Sequence, residues 1–231
     1  MTRVLILCEG QTEETFANLL LGPHLTERGI FVECTRIATS QTEGRRTHRG
    51  GHAHRFDLIK KDIQRLLGSK PAAVSTMLDV YGFPTNMPGY PDPWPVTTKA
   101  RVDALCAALS ANIGDRRFIP GVIAHEFEGL LFSDPRSIAD VAVQEEEARA
   151  AACAELMAIA RAYTSPEDID DGRETAPSKR LLRVIPRYAK PRHGPLIAER
   201  IGLGLLRERC PLFSAWVGKL EALGQPPAAT G

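Results

Sequence analysis

The sequence lacks paired cysteines: Cys8, Cys34, Cys106, Cys153 and Cys210 stand singly, none at C-x-x-C spacing. That spacing argues against a zinc ribbon and against a disulfide framework. No apolar run approaches the roughly 20 residues that a spanning helix needs. The N-terminal run from Val4 to Cys8 is stopped by Glu9 and is too short for a signal-peptide core, so the expected setting is the reducing cytoplasm, away from membranes. An excess of one charge is missing too. Lys and Arg number 29 against 28 Asp and Glu, a net charge of +1, so attraction to a polyanion has to come from local patches. Aromatic residues make up only 6%, which leaves few side chains for stacking on bases.

What is present is 231 residues with 43% apolar content, enough for a sizeable core in one domain or in one domain with an extension. "RVLILC" (3 to 8) reads as a strand buried on both faces. Phe16, Leu19 and Leu20 follow at helical spacing, with Pro23 expected to break or restart that helix. "IFVECTRI" (30 to 37) reads as a second strand, residues 38 to 53 as a loop, and Phe56 to Leu67 as an amphipathic helix. "AAVSTMLDVYG" (72 to 82) is a third strand, followed by a proline-rich surface segment from 84 to 95. A helix over 97 to 112 leads to a fourth strand, "RFIPGVIA" (117 to 124), in which Pro120 predicts a bulge or an edge.

This alternation predicts an α/β fold: a mostly parallel central sheet with helices on both faces over residues 1 to 134, and a C-terminal helical extension or cap over 135 to 231. Glu9, Asp79 and Glu126 then fall at the carboxyl ends of three strands, where open α/β sheets place their ligands. Converging carboxylates suit a hard divalent cation such as Mg²⁺, and with such an ion phosphoryl chemistry becomes available. Glu13 lies four residues after Glu9 and can face the same edge, leaving Glu14 to point elsewhere. Acids in a first helical turn are also favoured by the helix dipole, with Thr12 as the N-cap in that reading. Glu126 and Glu128 share a face if 125 to 128 is extended and diverge if a helix has begun, which makes Glu126 the first choice. "HEFEG" lacks the second histidine of H-E-x-x-H, so His125 reads as a hydrogen-bonding residue at the mouth of the site.

"CEGQTEE" after the first strand, "LDVYGFP" after the third and "HEFEGLLFSD" after the fourth resemble the three motifs of TOPRIM (topoisomerase-primase) domains. The chain is most similar to a prokaryotic TOPRIM-like family often encoded beside ATPases in defence gene clusters. "APSKRL" (176 to 181) and "CPLFSAW" (210 to 216) extend that likeness into the helical tail. The resemblance implies a nuclease that uses Mg²⁺ or Mn²⁺, with Glu9, Asp79 and Glu126 as catalytic residues and Glu9, Glu13, Asp79, Glu126 and Glu128 as candidate metal ligands. It implies nucleic acid as substrate, an ATPase as protein partner and a place in defence. The pattern departs at Tyr81, where TOPRIM domains carry a second aspartate, so the number of metal ions stays open.

Backbone phosphates call for cations. Arg45, Arg46, Arg49 and Arg55 lie in a glycine- and histidine-containing stretch that also carries His48, His52 and His54. A second cluster contains Lys179, Arg180, Arg183, Arg187, Lys190, Arg192 and His193, with Ser178 as an expected N-cap. Lys179 and Arg180 would then stand in a first turn, where the dipole disfavours cations unless an anion docks nearby; a substrate phosphate and the acidic "EDIDDGRE" (167 to 174) are both candidates. Two other functions fit the same residues. One is a catalytically degenerate partner-binding module marked by Tyr81, the other a phosphatase acting on small nucleotides.

Overall fold

The computed structural model describes residues 2–37, 40–42, 45–47, 55–169, 172 and 174–224. Strand β1 (Thr2–Cys8) runs into helix α1 (Gln11–Phe16), a π-helical turn (Ala17–Leu21) and α2 (Gly22–Thr26). Pro23 lacks the N–H that would continue an α-helical ladder, and the chain meets it through this π-turn without breaking: Gly22 N–H bonds to Ala17 O, five residues back. Next come β2 (Ile30–Arg36), a short hairpin of β3 (Ser40–Thr42) and β4 (Arg45–Thr47), α3 (Phe56–Gly68), β5 (Ala73–Asp79) and α4 (Thr98–Ile113). The loop expected over 38 to 53 is thus corrected, since Ser40–Thr42 pairs antiparallel with Arg45–Thr47. That segment has no apolar alternation, and its only hairpin signal is the two-residue Glu43-Gly44 spacing between the strands.

The fourth strand is split into β6 (Phe118–Ile119) and β7 (Val122–Ile123), because Pro120 cannot donate to the ladder. The remaining described chain is helical: α5 (Phe127–Leu131), α6 (Pro135–Ala142), α7 (Glu146–Arg161), α8 (Pro177–Val184), α9 (Lys190–Ile201), α10 (Leu203–Arg209) and α11 (Pro211–Glu221).

The main sheet has the order β2-β1-β5-β6, with β7 also on β5, and every pairing in it is parallel. From β1 the chain crosses to β2 on one side, then returns to β5 on the other. This reversal opens a crevice at the carboxyl ends of β1 and β5, where Glu9 and Asp79 stand. Alternate β1 side chains feed two cores. Leu5 and Leu7 pack with Ile59, Ile63, Leu105 and Leu109 of α3 and α4, while Val4, Ile6 and Cys8 join Phe16, Leu156, Ile197 and Val217. The helices after residue 135 therefore share the core of one sheet face.

A buried acid fastens the last helix to that core. Glu167, in a 3-10 turn over Pro166–Asp168, accepts hydrogen bonds from Leu212 N and Phe213 N, both at 2.8 Å, and so caps α11 from a distant part of the chain. This accounts for the first acid of the "EDIDDGRE" stretch. Glu167→Ala strands two N–H groups at the start of α11 and is expected to cost about 1–3 kcal/mol, read as a lowered urea midpoint.

Candidate functional site

Four carboxylates meet in the crevice. Glu9 follows β1 directly, and its Oε2 accepts from Asp79 N at 2.9 Å, tying the ends of β1 and β5 together. The N-cap of α1 is Gly10, not Thr12. Glu13 makes the capping bond, its Oε2 accepting from Gly10 N at 2.9 Å, which leaves Oε1 turned inward. Glu14 faces outward to Arg36, at 3.0 Å. Between β7 and α5 the chain passes through His125 at φ 57, a left-handed conformation that costs a residue with a Cβ about 1–2 kcal/mol. His125 bonds through Nε2 with the Thr98 hydroxyl, and its carbonyl accepts from Tyr81 N at 2.9 Å.

The chain turns helical immediately after His125-Glu126, so Glu126 and Glu128 diverge. Glu126 is the extended N-cap of α5. Its two oxygens accept from Ser178 N and the Ser178 hydroxyl, at 2.9 and 3.0 Å. The anion anticipated at the start of α8 is therefore the Glu126 carboxylate, and α8 begins with Ala176 as N-cap and Pro177 in its first turn, two residues before the expected Ser178. Glu128 is fully buried and turns into the crevice.

At the centre stands Lys190, the first residue of α9. Its Nζ lies 3.1 Å from Glu128 Oε2, 3.3 Å from Glu13 Oε1 and 3.5 Å from Asp79 Oδ2. The Tyr188 hydroxyl donates to Glu128 Oε1 at 3.4 Å. Asp79 Oδ1 is buried and accepts no hydrogen bond. Such an orphan is expensive to bury and points to a ligand.

Burial dominates the electrostatics. It raises Glu9 to about 7, with the Asp79 N–H bond acting the other way. It raises Asp79 well above the usual carboxylate range, against the pull of Lys190, and raises Glu128 as well. For Lys190 burial works downward, but Asp79, Glu128 and Glu13 outweigh it and hold the ammonium charged.

Among the described residues, no three His, Cys, Asp or Glu side chains form a ready metal cage. The physical reason is Lys190: carboxylate oxygens ranged 3.1 to 3.5 Å around an ammonium are too far apart for the roughly 2.1 Å bonds of Mg²⁺. The donors themselves fit. They are hard carboxylate oxygens, and Asp79 Oδ1 is unengaged.

The structure thus brings Glu9, Glu13, Asp79 and Glu128 together and engages Glu126 with α8. Tyr81, in the place of a second aspartate, is 37% exposed. Of the expected phosphate-binding cations, Arg45 and Arg46 lie on β4 with side chains outside the described residues, as do Arg49, His48, His52 and His54 altogether. Arg55 is exposed and pairs with Asp57 at 2.7 Å. Arg180 serves the fold, with Nη2 on the Tyr163 hydroxyl at 2.8 Å, Nε on Thr175 O at 2.6 Å and its guanidinium over the Tyr163 ring. Lys179 is exposed. The residues that sequence reasoning missed are Lys190, visible there only as one cation of a run, and Tyr188.

No helix among the described residues is long and apolar enough to cross a membrane. The chain is similar to the C-terminal region of the Burkholderia pseudomallei OLD protein, at 16% identity over 97% of this chain and 100% of that one, with a TM-score of 0.46. It is also similar to the C-terminal region of the Xanthomonas campestris pv. campestris OLD protein, at 18% identity over 96% and 95% of the two chains and a TM-score of 0.44. No curated protein matches the sequence. Residues 8–221 match the model of DUF4276, a domain of unknown function, and the chain belongs to that family.

Proposed function

We propose that the protein is a metal-dependent phosphodiesterase acting on nucleic acid, with its site at the carboxyl ends of β1 and β5. One observation carries this reading: three buried carboxylates from three separate elements, Glu13, Asp79 and Glu128, converge within 3.5 Å of a single cationic point beside Glu9. Carboxylates gathered this closely repel one another, and the arrangement makes sense where a multivalent cation is to be held. Glu13, Asp79 and Glu128 would hold Mg²⁺ or Mn²⁺, which when bound supplies polarisation of a phosphoryl oxygen and a hydroxide at neutral pH.

The chain's own groups have distinct tasks in this reading. Glu9, raised to about 7, exchanges a proton near neutrality and is placed to serve as general base or acid. Its bond to Asp79 N fixes the two strand ends relative to each other. The exposed Lys179, Arg187 and Arg192, with Arg45 and Arg46 of β4 and Arg49 shortly after them in sequence, would supply sequence-independent contacts to backbone phosphates.

The test is incubation with labelled single-stranded DNA, duplex DNA and structured RNA in Mn²⁺ or Mg²⁺. Cleavage of at least one substrate is expected, abolished by EDTA and weakened by added salt. Glu13→Gln keeps a Gly10 cap but loses a negative ligand, and should lower the rate by about a hundredfold or more. A full rate in Glu13→Gln, or cleavage indifferent to EDTA, would remove the assignment.

A further inference from the structure

We propose that Lys190 is a tethered counter-ion occupying the position of the divalent cation, and that metal enters only by displacing it. The inference rests on reading the acidic crevice as a metal site, and adds how that site is filled and guarded in the metal-free protein.

Among the described residues, the Lys190 Nζ is the one positive charge placed among Glu13, Asp79 and Glu128. It sits at their common centre instead of beside one of them. Its contacts, 3.1 to 3.5 Å, are longer than the 2.7–2.9 Å of ordinary charge-assisted hydrogen bonds, so it is shared among acceptors without being locked to any. An ammonium at this point and a metal ion at this point exclude each other, both sterically and by charge.

A way out is built in. Glu13, Asp79 and Glu128 have side chains 3%, 7% and 0% exposed, whereas that of Lys190 is 36% exposed. The lysine enters from the rim, at the first turn of α9, on a flexible four-carbon stem that lets its head return to water. The acids cannot leave in this way. Asp79 Oδ1, buried and accepting nothing, is one part of the site that the ammonium does not satisfy. It gives an incoming divalent cation an additional ligand and a reason to win the exchange.

Calorimetric titration with Mn²⁺ compares wild type with Lys190→Met, which keeps the apolar stem and removes the charge. The expected result is tighter binding by the variant, by about tenfold or more. Equal or weaker binding by a folded Lys190→Met overturns the proposal while leaving the metal site intact, because the lysine then assists the ion. Absence of binding in both proteins overturns the metal site itself, and this inference with it.

Removing the ammonium shared by three buried acids also threatens folding, so a second measurement uses the wild type alone. In protein labelled with ¹⁵N-lysine, one slowly exchanging ammonium resonance is expected without metal, since the Lys190 Nζ is held among three buried carboxylates. Saturating Mg²⁺ should abolish its protection from exchange. A protected resonance that persists at saturation overturns the displacement.

Discussion

Asp79→Asn is expected to weaken Mn²⁺ binding by about a hundredfold or more and to remove phosphodiester cleavage, while the metal-free protein melts no lower than wild type. The two halves of this result have one cause. Asp79 is 5% exposed, faces Glu13 and Glu128 across Lys190, and buries an oxygen with no hydrogen bond. In the metal-free state its charge is a cost that one shared ammonium only partly offsets, and an amide of the same shape relieves it. With a divalent ion present the same charge is an asset, since removal of even an outer-shell group costs 10–100-fold in metal affinity. Calorimetry for binding and thermal unfolding in EDTA separate the two. A variant that binds Mn²⁺ like wild type would show that Asp79 is no ligand; one that unfolds would show that its carboxylate holds the ends of the strands together.

The second large effect lies behind the site. Gly121→Ala is expected to destabilise the protein by about 3 kcal/mol or more, enough to lower its urea midpoint markedly. A Cβ at this position would lie 2.1 Å from Thr76 O and 2.4 Å from Trp216 Nε1. Neither neighbour can withdraw. Gly121 N donates to the Thr76 hydroxyl at 3.0 Å, and that hydroxyl donates to Gly121 O at 2.9 Å, so the two backbones are clamped. Trp216 Nε1 donates to the Ser75 hydroxyl at 3.0 Å, which donates to Ile119 O at 2.6 Å. The added methyl group pushes the indole out of a buried chain of hydrogen bonds that joins α11 to the break between β6 and β7. Gly204→Ala is the control: nothing lies within 4 Å of its Cβ, and the change should be neutral or stabilising by up to about 1 kcal/mol. A wild-type midpoint in Gly121→Ala would mean that Trp216 does not press on this turn.

Glu9 and Asp79 were legible in the sequence because each follows a short apolar run that can only be a buried strand, and the strand's end fixes where the acid stands. The parallel sheet followed from the same runs and the helices between them. Glu126 and Glu128 show the limit of such reasoning. A helix boundary one residue earlier or later exchanges their roles, and here the helix opens at Phe127, sending Glu126 to Ser178 and Glu128 to the crevice. The hairpin was missed because its polar strands carry no alternation. Lys190 was illegible for a different reason. Its place depends on how α9 seats against α1 through Gly194, where a Cβ would come within 3.0 Å of Thr12 Cγ2 and 3.2 Å of Phe127 Cε1. No local pattern reports such a contact.

The order of these residues along the chain has a bearing on biosynthesis. Glu9, Glu13, Asp79 and Glu128 all emerge from the ribosome well before Lys190, and the core that seats α9 also needs Leu206, Phe213 and Val217. Until those helices dock, the acids have neither neutralising partner nor cover, and the crevice stays open to water. A nascent chain therefore carries an unfinished site throughout most of its synthesis, and the same late folding step that packs the C-terminal helices completes it.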